Sequence, residues 1–137
     1  MNGEPFVVDT ERELRVLSAE LTERRRGECL LCYVWRMLDL GCTGLRWATH
    51  YRDRKAPRAT ALERRLGERG GFCDCEIFLN GYELAPELWT PQREVEEGGV
   101  TYVYEAEPPA QPPPCRGVRA GSTRGCTLWV RQYRGWW

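Results

Sequence analysis

Apolar residues in the first half of the chain recur at intervals of three and four, the period of a helix. Leu14, Leu17 and Leu21 lie on one such face. Asp9 or Thr10 can cap this helix, Thr10 and Glu13 have capping-box spacing, and Gly27 closes the segment. A second helix is predicted from Cys29 to Leu40. Its apolar stripe is Leu30, Val34, Met37 and Leu38, widened by Leu31 and Trp35, and Gly41 is its stop. Thr43 can cap a third helix bearing Leu45, Ala48 and Tyr51, which ends before Pro57. Thr60 and Glu63 repeat the capping-box spacing and open a short helix with Leu62 and Leu66, closed by Gly70-Gly71.

The period changes at Phe72. Cys73, Cys75, Ile77 and Leu79 alternate with Asp74, Glu76, Phe78 and Asn80, which predicts a strand. Asn80-Gly81 then predicts a tight hairpin turn, with Tyr82 to Leu84 as the returning strand. Gly98-Gly99 precedes the β-prone run Val100 to Tyr104. The stretch Pro108-Pro109-Ala110-Gln111-Pro112-Pro113-Pro114 has the composition of a stiff extended linker. Beyond it, Thr127 to Tyr133 predicts one more strand. Helices first and strands after give an α+β class, with N-terminal helices packed on a small antiparallel sheet. The organisation expected is a single domain with a C-terminal extension. Residues 1–107 form the cysteine-rich α+β domain, 108–114 the proline-rich linker, and 115–137 a basic and aromatic extension.

The length of 137 residues suits one domain, and the 42% hydrophobic fraction, with six Trp and six Tyr, argues for a packed core. No apolar run approaches the roughly 20 residues that cross a bilayer, so no membrane partner is expected. The N-terminus lacks a basic start followed by an apolar stretch, so it does not read as a secretory signal, and the expected location is cytoplasmic. Formal net charge is zero but segregated. Residues 1–44 carry six basic and eight acidic side chains, 45–73 eight and three, 74–114 one and nine, and 115–137 five and none. An acidic middle between two basic segments suggests that they face each other in the fold. Lys55 is the sole lysine among the basic residues, a bias of GC-rich genomes compatible with an actinobacterial source.

Seven cysteines change the picture most. In a reducing compartment, close-set cysteines more often bind metal or do redox chemistry than form structural disulfides. Two pairs stand out, Cys29-x-x-Cys32 and Cys73-x-Cys75. Cysteines two apart on a strand share a face with Cα atoms roughly 6.7 Å apart, which one ion can bridge. Cysteines three apart at the first turn of a helix are neighbours, and free amides there favour thiolates. Cys42 is a fifth candidate, but ten helical residues place it about 15 Å from Cys32. The ligand set is therefore either Cys29, Cys32, Cys73 and Cys75, or Cys42, Cys73, Cys75 and one other group. Four thiolates suit Zn²⁺ in a closed structural site. The competing readings are buried reduced thiols, Cys73 and Cys75 sharing a face with Ile77 and Leu79, or a redox disulfide. Cys115 and Cys126 read as structural or as paired with each other.

Gly70-Gly71-Phe72-Cys73-Asp74-Cys75-Glu76-Ile77, with Asn80 following, resembles the signature of a bacterial family known as domain of unknown function 2695. Cys42-Thr43-Gly44-Leu45-Arg46 resembles its upstream cysteine element, and Cys29 to Leu84 its longer actinobacterial form. The resemblance implies a small bacterial domain with no assigned activity. Shorter members carry a histidine where this chain has Gly44; that departure leaves the fourth ligand of a Cys42–Cys73–Cys75 site open, and His50 is a distant substitute.

The function expected is that of a zinc-stabilised, non-enzymatic module that binds or regulates a protein partner. One alternative is nucleic-acid binding. Arg46, Trp47, Tyr51, Arg52, Arg54, Lys55 and Arg58 interleave aromatic and positive side chains, as do Arg131, Tyr133, Arg134, Trp136 and Trp137. The other is a metal- or thiol-dependent enzyme using a three-thiolate zinc or Cys29-x-x-Cys32, with Asp74 or Glu76 as base. No Ser-His-Asp set, phosphate loop or His-Glu metal motif is present, and no catalytic residue is assigned.

Overall fold

The computed structural model describes residues 4–132, with side chains from Thr10 onward. Helix α1 spans Glu4–Leu21 and so begins before the expected caps. Leu14, Leu17 and Leu21 share a face as the spacing dictates, yet each is more than half exposed, because among the described residues no other element covers that side. Helix α2, Leu30–Met37, is the spine of the core. Cys29 occupies its N-cap in extended backbone, its sulfur accepting the Cys32 N–H, and every residue from Leu30 to Val34 is buried. The helix tightens into a 3₁₀ turn over Leu38–Leu40 and stops where Gly41 takes a φ of 111°.

Helix α3, Arg46–Lys55, packs on α2 through Trp47, Ala48 and Tyr51. Its cap comes from elsewhere in the chain: Asp74 accepts the N–H groups of Trp47 and Ala48 at 2.9 and 3.2 Å, in place of the expected Thr43. Helix α4, Leu62–Glu68, buries Leu62 and Leu66 and closes with the Gly71 N–H on the Leu66 carbonyl.

The expected strand over residues 73–80 is instead helical. Asp74–Glu76 forms a single α turn, here α5, which widens into a π-type turn over Ile77–Gly81. The reason is tertiary. Asp74 must point at the start of α3, and its N–H donates to the Gly44 carbonyl at 2.9 Å. Gly71 packs so tightly that a Cβ there would lie 3.0 Å from the Ile77 side chain and 3.2 Å from the Leu66 carbonyl. In this geometry Ile77 is fully buried and Leu79 exposed, which alternation on a strand would not allow. Asn80-Gly81 makes no hairpin; the Asn80 side-chain amide donates to the Gly70 carbonyl.

Strand β1, Tyr82–Leu84, forms where expected but pairs antiparallel with β4, Trp129–Arg131, with Tyr82 opposite Arg131 and Leu84 opposite Trp129. The residues after the prolines thus return to the core. Leu128 is fully buried, and the Trp129 ring lies 6.0 Å from Trp35 and 5.1 Å from Phe78. The β-prone run is strand β3, Val100–Tyr104, paired with the unforeseen β2, Arg93–Glu97, around Gly98 and Gly99, both at positive φ. This hairpin is exposed along almost all of its length. The whole is one α+β fold, helices before sheets. Among the described residues no helix is long and apolar enough to cross a membrane.

Candidate metal centre

The first turn of α2 sets the centre. Cys29 and Cys32 lie one turn apart with both sulfurs on one side. In place of the expected meeting with Cys73 and Cys75, the sulfurs that join them belong to Cys115 and Cys126. All four lie within 4.8 Å of one another, with Cys29, Cys32 and Cys126 buried and Cys115 half-buried. Two glycine turns bring the strands of chain together. Gly27 and Gly117 both take positive φ, and the Val118 N–H donates to the Gly27 carbonyl at 3.0 Å. Gly125 sits against Leu31, where a Cβ would come within 2.5 Å of the leucine methyl, so only glycine delivers Cys126 here without displacing a buried side chain.

The donor set fits a four-coordinate ion. A tetrahedron with metal–sulfur bonds of about 2.3 Å has sulfurs about 3.8 Å apart, and the Cys32 and Cys126 sulfurs are 3.8 Å apart. The sulfurs also receive N–H groups, as thiolates require. Cys115 accepts from the Cys29 and Gly117 amides, Cys29 from the Cys32 amide, and Cys32 from the Trp129 indole, each at 3.3 Å. The Cys32 thiol and amide draw the Cys29 thiol down to about 5 against the effect of burial. The same Cys29 sulfur and burial push Cys32 far up, and burial raises Cys126. Negative charge is therefore favoured at Cys29 over Cys32 and Cys126.

A cleft of about 800 Å³ opens beside the sulfurs, between the start of α2 and residues 111–117. Arg25, Arg26, Arg36 and Arg116 line it. A dication held by four thiolates would carry a net charge of about −2, which guanidinium groups lining this cleft would help to offset. Arg36 is shared with the buried Glu28 at 2.7 Å.

The remaining cysteines gather elsewhere. The Cys75 N–H donates to the Cys42 sulfur at 3.4 Å. The Glu76 amide lowers the Cys73 thiol, but burial and the neighbouring Cys42 thiol leave it raised overall. Cys42 is exposed, Cys73 and Cys75 are half-buried, and none belongs to the four-sulfur group. Asp74 between them is fully buried as the cap of α3, so it is not placed as a base.

The aromatic side chains expected on a nucleic-acid surface face inward at α3. Trp47 and Tyr51 are buried, Arg46 stacks on Trp47 with 4.3 Å to the ring centre, and Arg52 pairs with Asp53 and Glu63. Of the second group, Arg131 is exposed, while Tyr133, Arg134, Trp136 and Trp137 lie outside the described residues.

The family model of a protein of unknown function, DUF2695, matches residues 30–80. That segment belongs to the DUF2695 family. No curated protein and no solved structure matches the chain. The DUF2695 segment holds Cys32, Cys42, Cys73 and Cys75, whereas Cys29 precedes it and Cys115 and Cys126 follow it. Three of the four converging sulfurs therefore come from outside the DUF2695 segment. The spacing of the sequence did not bring Cys115 and Cys126 together with Cys29 and Cys32; the signal available was a glycine near each, Gly117 and Gly125, of the kind that lets backbone amides approach a sulfur.

Proposed function

We propose that the chain is a zinc-stabilised, non-enzymatic module in which Cys29, Cys32, Cys115 and Cys126 hold one structural Zn²⁺ and lock the C-terminal residues onto the helical core. The convergence of four sulfurs within 4.8 Å carries this reading. Zinc is favoured by an all-sulfur tetrahedral set, and four thiolates leave no position open for a substrate. Free cysteines in such a site belong to a reducing compartment, hence a cytoplasmic location. The exposed leucine face of α1 supports a role in holding a protein partner.

Elemental analysis of the purified protein tests the centre. One zinc per chain is expected in the wild type and in Cys73→Ser, and zinc loss in Cys29→Ser and Cys126→Ser. Full zinc in Cys126→Ser would overturn the assignment. For the partner role, Leu17→Asp is expected to keep zinc content and melting temperature while losing the cross-linked species that the wild type gives in its own cell extract.

A further inference from the structure

The β2–β3 hairpin is a two-stranded sheet that no third strand joins among the described residues. Glu97 and Val100 flank the two-residue turn, so they exchange both hydrogen bonds, as do Val95 with Tyr102 and Arg93 with Tyr104. The intervening residues point their backbone groups outward. Along β3 these are Thr101 and Val103, and along β2 Glu94 and Glu96. Val100, Tyr102, Val103 and Tyr104 are each about half exposed, although isolated hairpins of this kind are marginal in water.

The two edges differ in chemistry. The β3 edge reads Val-Thr-Tyr-Val-Tyr, β-branched and aromatic throughout, without the charge, proline or bulge that usually blocks strand addition. Antiparallel self-pairing centred on Tyr102 sets Thr101 against Val103 of the second copy and Val100 against its Tyr104. The outward amides and carbonyls of Thr101 and Val103 then meet in reciprocal pairs, and the side-chain pairs are of the favourable aromatic and β-branched kind. Self-pairing of β2 would instead place Glu94 directly against Glu96, two like charges. A formal net charge of zero adds no long-range repulsion between copies.

We propose that β3 is a self-pairing edge through which two copies of this chain form a continuous antiparallel four-stranded sheet. The short edge makes this a dimer that dissociates on dilution.

Sedimentation velocity of the zinc-loaded protein over a dilution series tests it. The wild type is expected to show a species of twice the 15.9 kDa chain mass that gives way to monomer on dilution. Thr101→Pro removes an amide that points outward, so the hairpin keeps its own ladder while the dimer is lost. Glu96→Pro makes the same lesion on the opposite edge and is expected to leave the dimer intact. A wild type that is monomeric throughout overturns the proposal. So does a Thr101→Pro protein that dimerises as well as the wild type, or equal loss of the dimer in both proline variants.

Discussion

Removing the metal tests how the C-terminal residues are held. In the proposed centre one zinc would join the sulfur of Cys32 to that of Cys115 and so act as a cross-link closing a long loop of chain. For a loop of about 80 residues the chain-entropy treatment of a cross-link gives about 4–5 kcal/mol. For a domain of this size each kcal/mol moves the melting temperature by roughly 3 °C, so the melt is expected to fall by about 10–15 °C. Undocking also bares Leu128 and Trp129, which are buried against the core, at about 1.5–3 kcal/mol each. The assay is thermal unfolding by circular dichroism with and without a strong chelator, with tryptophan emission followed in parallel. Because the Trp129 indole donates to the Cys32 sulfur and packs between Trp35 and Phe78, its emission is expected to shift to the red when the metal leaves. The Cys126→Ser protein is expected to melt at the chelated temperature and to ignore further chelator. A melt unchanged by complete zinc removal would refute the reasoning.

Three further outcomes are expected. Asp74→Ala leaves the buried N–H groups of Trp47 and Ala48 without acceptors and is expected to cost about 2–4 kcal/mol by denaturant unfolding, with zinc content unchanged. Gly71→Ala forces a Cβ against the Ile77 and Leu66 backbone and is expected to cost about 1–3 kcal/mol in the same assay. His50 is held below its ordinary value of 6.5, first by burial and then by Arg54, so the folded state binds its proton more weakly than the unfolded chain. Its stabilising effect is thus present above pH 6.5 and lost as pH falls below it, and His50→Gln is expected to flatten that acid limb relative to the wild type.

The helical half was legible because its signals are local. The stripe of α2 and the leucine pair of α4 appear where the period places them, and Cys29, expected in the first turn of α2, stands just before it as the cap, its sulfur still on the side of Cys32. The segment from Cys73 to Gly81 was misread because a short alternation of apolar residues does not separate a strand from a helical turn. What decides there is Asp74, which caps a helix 27 residues earlier in the chain. The other half of the centre was illegible for a similar reason. Cys115 and Cys126 lie 86 and 94 residues from the sulfur-bearing partners they meet, across a proline-rich stretch, and nothing in local spacing reports that approach. The hairpin was half visible: the β-prone run Val100 to Tyr104 marked one strand, but the glutamates of β2 hid the other.

The position of Cys126 along the chain has a consequence for biosynthesis. A ribosome releases α2, with its Cys29-x-x-Cys32 turn, long before residues 115–126 leave the exit tunnel. During that interval the early pair is exposed, half of its donor set does not yet exist, and β1 lacks the strand it pairs with. Completion of the fold therefore waits for residues 115–131, and in the proposed zinc form metal capture would coincide with the docking of β4, so that a scarcity of zinc would be felt as a delay in maturation.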